Sequence, residues 1–317
     1  DRTVSAMDKV AAAGKRMTAV GKTMSVALTA PIAMLGKSIL STAVDFESSM
    51  LRVEAVTQAT GDTVTQLTDK AKELGISTKF SATEAAQGMA FLGQAGFDAE
   101  KIMDSMPGVL QLAAAAQMDL ATAADITSNV LSGMRLKVED LAEVNDTLVA
   151  TFVSSNTNLQ QLGESFKFAG PVASSFGLSM QETAGFLGMM GNAGVQASMS
   201  GTALRTGMLA LIDPTKDAQA VLDRLGVSVR DSDGEMRNMV DILTELAGAQ
   251  MKAGDAAEIF GIRGSLIETA FINGEEAIKK FIAGLDQQGI AARIADKQMS
   301  GFQGALDRLR SAWEGLK

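Results

Sequence analysis

The sequence predicts an all-α protein, built as an irregular array of helical hairpins. Of its 317 residues 46% are hydrophobic, enough to fill a core, and only 4 are proline. Aromatic residues make up 4%, and the apolar residues are mostly Ala, Leu, Met, Ile and Val, which suit helices better than sheets. Apolar residues also recur at helical spacing, between capping residues and glycines, along most of the chain.

The changes in pattern along the chain predict three parts. Residues 1–44 form a helical lead with a heptad pattern, and residues 45–215 form a core of helical hairpins. Residues 216–317 form a C-terminal helical region that contains one small β-hairpin near 227–237.

The lead begins with apolar residues at positions seven apart. This a/d heptad is thin, because every second core position is small, so a coiled coil and an ordinary amphipathic helix fit it about equally well. Its charge is mainly basic, with Asp1 and Asp8 as the only acids before Asp45. The basic residues are Arg2, Lys9, Lys15, Arg16, Lys22 and Lys37.

The stretch from Thr23 to Val44 carries a single charge, at Lys37, and is the best membrane candidate in the chain. A spanning helix would place Lys37 and Pro31 in hydrocarbon, and the uncharged part from Thr23 to Gly36 is too short for a bilayer core of about 30 Å. We therefore favour a buried or interfacial helix here.

The core part repeats one sequence pattern, which consists of a capping residue, an Ala-rich helix and then a glycine. Ser81 with Glu84 makes a capping box, Asp119 begins the next copy, and Ser179 begins a third. Second helices are predicted between these copies, and the spacing of about 38 residues indicates an array of helical pairs. These further helices are Ala99–Ala116, Val138–Phe152 and Asn158–Phe168, with Pro171 closing the last, after two earlier helices between Asp45 and Gly75 that break at Gly61.

Residues 179–214 show the repeated unit most clearly. Ser179 with Glu182 predicts a capping box, and residues 192–194 break the first helix. The second helix is predicted to begin at a cap formed by Ser198 or Ser200 and to end at Asp213.

Glycines recur three residues apart in this hairpin, although each costs a helix about 1 kcal/mol relative to alanine. We interpret them as positions where a partner helix comes close, with the alternative of a pliable, membrane-active segment. The predicted helix-packing contacts are Gly188, Gly191, Ala203, Gly207 and Trp313.

In the last part, Asp213 followed by Pro214 predicts a helix start, and that helix ends at Gly226. Asp233 and Gly234 mark the turn of the β-hairpin. Further predicted helices begin at Asn238, run from Asp255 to Phe271 with breaks at Gly261 and Gly264, begin at Asn273, and run from Ile290 to Leu316 with Trp313 on an apolar face.

The composition argues against catalysis. Cysteine, histidine and tyrosine are all absent, so disulfides, thiolate metal sites and the usual general base near neutral pH are missing. We predict no cofactor and no metal, since the spacing of Asp231, Asp233 and Glu235 lacks the glycine and terminal Glu of a calcium loop. The net charge of −9 argues against specific nucleic-acid binding.

Several stretches together resemble the core region of phage tail tape measure proteins. They include VDFESSMLRVEAVTQATG, ELGISTKFSATEAAQGMAFLGQAG, GVLQLAAAAQMDLATAADITSNVL and GNAGVQASMSGTALRTGMLALIDPT. LGVSVRDSDGEMRNMVDIL, AEIFGIRG and GALDRLRSAWEGL follow in the family's order, so the resemblance covers roughly residues 44 to 317.

The resemblance implies a structural protein that lies in the lumen of the tail tube, sets tube length during assembly in the host cytoplasm, and leaves before DNA ejection. It implies as partners the tail tube protein, tail tip or baseplate hub proteins, a tail assembly chaperone and further copies of the chain, as in a trimer, with transient contact to the host membrane. The alternatives are a helical membrane-disrupting effector and a generic helical scaffold. The start at Asp1, without a signal-peptide pattern or initiator Met, is expected of a fragment or processed product.

Overall fold

The computed structural model describes residues 43–249, 251–271 and 274–301. The chain divides into two compact units, residues 1–51 and 52–317, and the packing described below belongs to the second. Every regular element in the described ranges is helical, which confirms the all-α class. The heptad lead, the stretch before residue 43 and Trp313 lie outside these residues, and the division at 44 and 215 stays a prediction.

Fourteen α-helices occur in these ranges, with 3-10 turns at Val138–Asp140 and Ser265–Phe271. They are α1 (43–57), α2 (Asp62–Ser77), α3 (Ala82–Gln94), α4 (Ala99–Ala116), α5 (Leu120–Gly133), α6 (Leu141–Ser154), α7 (Leu159–Ser175), α8 (Met180–Asn192), α9 (Ser198–Ile212), α10 (Lys216–Leu225), α11 (Met239–Gly248), α12 (Ala253–Gly264), α13 (Gly274–Ala283) and α14 (290–301). None of the helices searched in the described ranges is long and apolar enough to cross a membrane.

Local capping chemistry sets the start of most helices in the array. The Ser81 and Ser179 hydroxyls accept from the main-chain N–H of Glu84 and Glu182, and each Glu side chain bonds back to the cap's N–H. Both predicted capping boxes are therefore confirmed. A carboxylate cap stands at Asp119, where Oδ1 accepts from Thr122 N at 2.8 Å. Such caps satisfy main-chain N–H groups that a helix leaves free at its start.

The hairpins stack into two layers. Helices α3, α5, α7 and α9 each contact the next in this order, and α12 contacts α9; these form the first layer. Helices α4, α6 and α8 do the same, and α13 contacts α8; these form the second layer. The core lies between the layers, and its largest fully buried side chains include Phe166, Phe186 and Leu148.

Residues at equivalent positions of successive hairpins form hydrogen bonds with each other. Hydrogen bonds join Gly108 to Asn145, Gln161 to Gln196, and Glu143 to Gln181, pairs separated by 37, 35 and 38 residues. A nearly constant separation means that neighbouring helices within a layer run parallel and in register. The array is thus a short solenoid of helical pairs, in which each pair buries its apolar face against its neighbours.

The predicted end of α7 near Phe168 was wrong. The helix continues through Pro171 to Ser175, although proline removes a helical hydrogen bond. Packing explains the continuation: Ala169 and Ala173 are buried, and a Cβ on Gly133 of α5 would lie 3.6 Å from the Pro171 ring. Ser174 also donates its hydroxyl to the Met134 carbonyl at 2.9 Å.

Two predicted caps were also wrong. Helix α9 begins after Ala197, whose φ of 53° is left-handed, and neither Ser198 nor Ser200 caps it. The Ser200 hydroxyl instead donates to the Ala197 carbonyl at 2.9 Å. Helix α10 is capped by Thr215, not by Asp213, because the Thr215 hydroxyl accepts from Ala218 N at 3.2 Å.

The predicted β-hairpin near 227–237 was wrong as well, since no strand forms there. Arg230 and Met236 make one isolated bridge, and Asp231 Oδ1 closes the turn by accepting from the main-chain N–H of Glu235 at 2.9 Å. Helix α10 ends at Gly226 before this segment, and Asn238 caps α11 after it. The two arms are joined by main-chain bonds from Asp231 N to the Glu235 carbonyl and from Arg237 N to the Val229 carbonyl, and the pairing stays a single bridge.

Candidate functional site

One face of α8 carries glycines that point at neighbouring helices of the second layer. A Cβ built on Gly188 would lie 3.0 Å from Thr151 Cγ2 in α6 and 3.1 Å from Phe281 Cε1 in α13. A Cβ on Gly191 would overlap the Thr157 methyl group, and one on Gly185 would overlap Ile282. Helix α8 therefore lies between α6 and α13 at distances that leave little room for a side chain at these positions.

The small residues of α9 lie in a similar setting in the first layer. Ala203 is 1% exposed, and a Cβ on Gly207 would lie 3.2 Å from Ile267 and 3.6 Å from Phe260. Gly201 lies so close to the Ser165 main chain that a Cβ there would overlap it. The contribution of Gly188, Gly191, Ala203 and Gly207 to stability stays a prediction, for which these distances give the physical basis.

Buried hydroxyls join α7 to α9 at the same place. Ser165 Oγ lies 2.8 Å from Ser200 Oγ and donates to the Ala197 carbonyl at 2.8 Å. Both serines are almost fully buried. The sequence pattern predicts only a cap at Ser198 or Ser200 and does not predict this contact, because a serine after a turn has the same pattern in both roles.

Amide side chains join the loops at the ends of the hairpins. Asn192 Oδ1 accepts from Asn156 N at 2.8 Å, and Gln161 Nε2 donates to Gln196 Oε1 at 3.0 Å. Gln196 Nε2 in turn donates to the Asn156 carbonyl. These bonds fix the register between the hairpin of α6 and α7 and the hairpin of α8 and α9. No sequence signal identified them, since exposed amides in loops are common.

An ion pair in the last part joins Arg237 to Glu245. Their hydrogen bond lowers the pKa of Glu245, and the same bond raises the pKa of Arg237. Arg237 Nη1 also donates to the Ser228 carbonyl at 2.7 Å, so the guanidinium ties the loop before α11 to that helix. In contrast, burial raises the pKa of Glu268, and the nearby Asp255 carboxylate adds to the effect.

These contacts determine how closely the helices pack and how successive hairpins are aligned. Within the described residues, no group of three or more His, Cys, Asp or Glu residues has the spacing of a metal site. The site therefore consists of close helix contacts at glycines, supported by buried hydroxyls and amide side chains near the loops.

The profile of a family described as phage-related minor tail proteins matches residues 68–262, from within α2 to within α12. The chain belongs to this family. The matched residues include most of the two-layer array and the glycine faces of α8 and α9. The chain is therefore a structural component of a phage tail.

Two relatives share almost the whole chain. The tape measure protein of Pneumococcus phage Dp-1 is 30% identical over 96% of this chain, and the probable tape measure protein of Escherichia phage P2 is 27% identical over 95%. The resemblance to tape measure proteins is confirmed. The chain spans only 27% and 38% of the lengths of these relatives. No solved structure matches the chain.

Proposed function

We propose that this minor tail protein is the folded region of a tape measure protein, which sets tail tube length during assembly and is released before DNA ejection. The observation that carries the proposal is the similarity to two tape measure proteins over 95% or more of the chain. The protein then lies in the lumen of the tail, after assembly in the host cytoplasm. No catalytic step enters this function.

The fold suggests which part of such a protein measures length. An extended helix rises 1.5 Å per residue, so residues 52–317 as one helix would span about 400 Å. Stacked hairpins instead advance by one helix-packing distance per pair, about 10 Å. We infer that the array contributes little to the measured length, and that extended helix elsewhere in the full-length protein carries the ruler.

The proposal implies partners by family resemblance. They are the tail tube protein, the tail tip or baseplate hub proteins and the tail assembly chaperone. Further copies of the chain arranged along the tail axis, for example as a trimer, complete the set. A folded array is suited to docking on a hub at one end of the tube, because its two layers hold loops and helix faces in fixed positions.

The experiment that tests the proposal removes the gene from the phage that encodes this chain. We expect particles with no tails or with tails of variable length by negative-stain electron microscopy, and restoration of uniform tails when the gene is supplied from a plasmid. Tails of normal, uniform length without the protein would contradict the proposal. Co-purification of the full-length protein with tail tube subunits tests the same assignment biochemically.

A membrane-disrupting effector is the alternative from another functional class. It predicts that the purified chain releases dye from liposomes at low concentration, whereas a structural tail component without that activity does not. A leakage assay on vesicles of bacterial lipid composition therefore distinguishes these two functions. The third alternative, a generic scaffold, predicts that deleting the gene does not change tail length.

A further inference from the structure

Ala197, which lies between α8 and α9, has a backbone conformation that alanine rarely adopts. Its φ is 53° and its ψ is −135°, a combination that is largely restricted to glycine. Gly61, which precedes α2, has nearly the same angles, 58° and −126°. The same conformation therefore precedes two helices, and it is strained only where the residue is alanine.

The residues next to Ala197 give α9 no compensating cap. The helices that stack before it in the first layer each begin at a polar side chain that accepts a main-chain N–H, namely Ser81, Asp119 and Asn158. Ala197 has no side chain that can do this, and α9 begins without a side-chain cap hydrogen bond. The local sequence therefore disfavours this helix start twice, through the strained backbone and through the missing cap.

Contacts with α7 hold Ala197 in its conformation. Its carbonyl oxygen lies 2.8 Å from Ser165 Oγ and 2.9 Å from Ser200 Oγ, and both serines are almost fully buried. Within the first turn of α9, a Cβ on Gly201 would overlap the main chain of Ser165, so the two helices are in backbone contact there. A strained conformation persists only when the surrounding structure determines it, and here α7 provides those contacts.

The residue before Ala197 is tied to the preceding hairpin as well. Gln196 Oε1 accepts from Gln161 Nε2 at 3.0 Å, and Gln196 Nε2 donates to the Asn156 carbonyl. These contacts, like that of Ser165, come from α7 or from the loop before it. Separation of α9 from α7 would break them together, and the local sequence would then favour an ordinary conformation at Ala197.

We propose that residues 193–197, the α8–α9 junction, are a conformational switch that α7 holds in its strained state. When α9 separates from α7, Ala197 relaxes to ordinary backbone angles, and the released strain favours the open state. The array then opens between α7 and α9 before it opens between α3 and α5 or between α5 and α7. The proposal concerns only how the array opens, so it and the tail-length proposal can each fail without the other.

Amide hydrogen exchange of the complete 317-residue chain, followed by mass spectrometry, tests this order of opening. Under native conditions, slow exchange reports the free energy of the local opening that exposes each amide. We expect peptides from α9 to exchange about tenfold faster than peptides from α5 and α7.

Two variants change the strain and the contact that holds it. Ala197→Gly relieves the strain, because glycine adopts these angles freely, and we expect exchange in α9 to become about tenfold slower with little change in α5. Ser165→Ala removes a hydroxyl that holds the Ala197 carbonyl, and we expect exchange in α9 to become about fivefold faster. Alanine favours a helix, so this loss of protection would not come from the helix propensity of α7.

Ala193→Gly is the matched control in the same junction. Ala193 has ordinary angles, φ −85° and ψ 5°, so glycine relieves no strain there and should not slow exchange in α9. Gly61→Ala is the reciprocal variant, because it places alanine in the strained conformation where no atom lies within 4 Å of a Cβ. It should make exchange in α2 about tenfold faster.

Each outcome decides the proposal. Slower exchange in α9 for Ala197→Gly, and not for Ala193→Gly, supports the switch. Equal exchange of α5, α7 and α9 in the wild type overturns it, because the array then opens as one unit. An Ala197→Gly variant that leaves exchange in α9 unchanged, or that slows exchange in all helices alike, overturns it too.

Discussion

The carboxylate of Asp146 in α6 caps helix α14 across a sequence separation of more than 140 residues. Its Oδ2 accepts from Gly289 N at 2.6 Å and its Oδ1 accepts from Ala291 N at 2.9 Å. A carboxylate at this point satisfies free N–H groups and interacts favourably with the helix dipole. The last described helix is thereby tied to the middle of the array.

We expect Asp146→Ala to lower the free energy of unfolding by about 1 to 2 kcal/mol, the usual effect of losing a helix cap. Amide hydrogen exchange should become faster in residues 290–301 than in α6 itself. The matched control is Asp125→Ala, which removes an exposed carboxylate paired with Lys167 and should cost at most about 1 kcal/mol. Equal effects of the two variants on stability and exchange would show that Asp146 is an ordinary surface acid.

The glycine face of α8 predicts a second result. Gly188→Leu and Gly191→Leu should each lower the free energy of unfolding by about 1 to 3 kcal/mol through overpacking against Thr151 and Thr157. Thermal or denaturant unfolding measures this. Ser179→Ala, which removes only a cap, should cost about 1 kcal/mol.

Gly254→Ala in α12 is the control for these variants, because no atom lies within 4 Å of a Cβ there. It should stabilise the protein by up to about 1 kcal/mol, as alanine favours a helix over glycine. If both leucine variants of α8 also raised thermal stability, and changed liposome leakage, the glycines would serve pliability in a membrane-active segment and the packing interpretation would fail.

The ion pair of Arg237 and Glu245 predicts a pH dependence. Because the hydrogen bond from Arg237 lowers the pKa of Glu245 in the folded protein, the pair stabilises the fold above the unfolded pKa of about 4.5 and loses that effect as pH falls through the lower, folded value. Glu245→Gln should cost at most about 1 kcal/mol near pH 7, since both side chains are partly exposed.

The difference in melting temperature between wild type and Glu245→Gln should therefore shrink below pH 4.5. Glu73→Gln, in an exposed pair with Lys70, is the control and should show a smaller difference at every pH. A difference for Glu245→Gln that stayed constant down to pH 3 would rule out the proposed linkage.

Glu268 predicts a change of stability with pH that is opposite in sign to that of Glu245. Burial raises its pKa in the folded protein, so the folded state binds the proton more tightly, and stability falls as pH rises from the unfolded pKa through the folded one. Glu268→Gln should raise the melting temperature at pH 7 and have little effect near pH 4. Melting curves across this range check the sign, and a destabilised variant at pH 7 would contradict it.

The parts of the fold that the sequence predicted are those set by neighbouring residues. The capping boxes of Ser81 and Ser179 need only a cap and a glutamate three positions later, and both formed. Gly226 ends α10 in a left-handed conformation, as its position after a periodic run indicates. These local rules gave the helical class and most helix starts.

The parts that could not be predicted depend on contacts between distant residues. Helix α7 continues past Pro171 because α5 packs against it, and Ala197 adopts a left-handed conformation where α9 meets Ser165. The cap on α14 comes from α6, and no spacing rule relates Asp146 to Gly289.

We propose that this chain is a folded array within a length-determining tail protein. The most direct test duplicates residues 179–214, one hairpin, in the gene of the phage that encodes the chain, and measures tail length by electron microscopy. If the array stays folded, the tail should lengthen by no more than the step of one stacked pair, about 10 Å. Lengthening by about 54 Å, the span of the added residues as extended helix, would contradict the account and make this region part of the ruler.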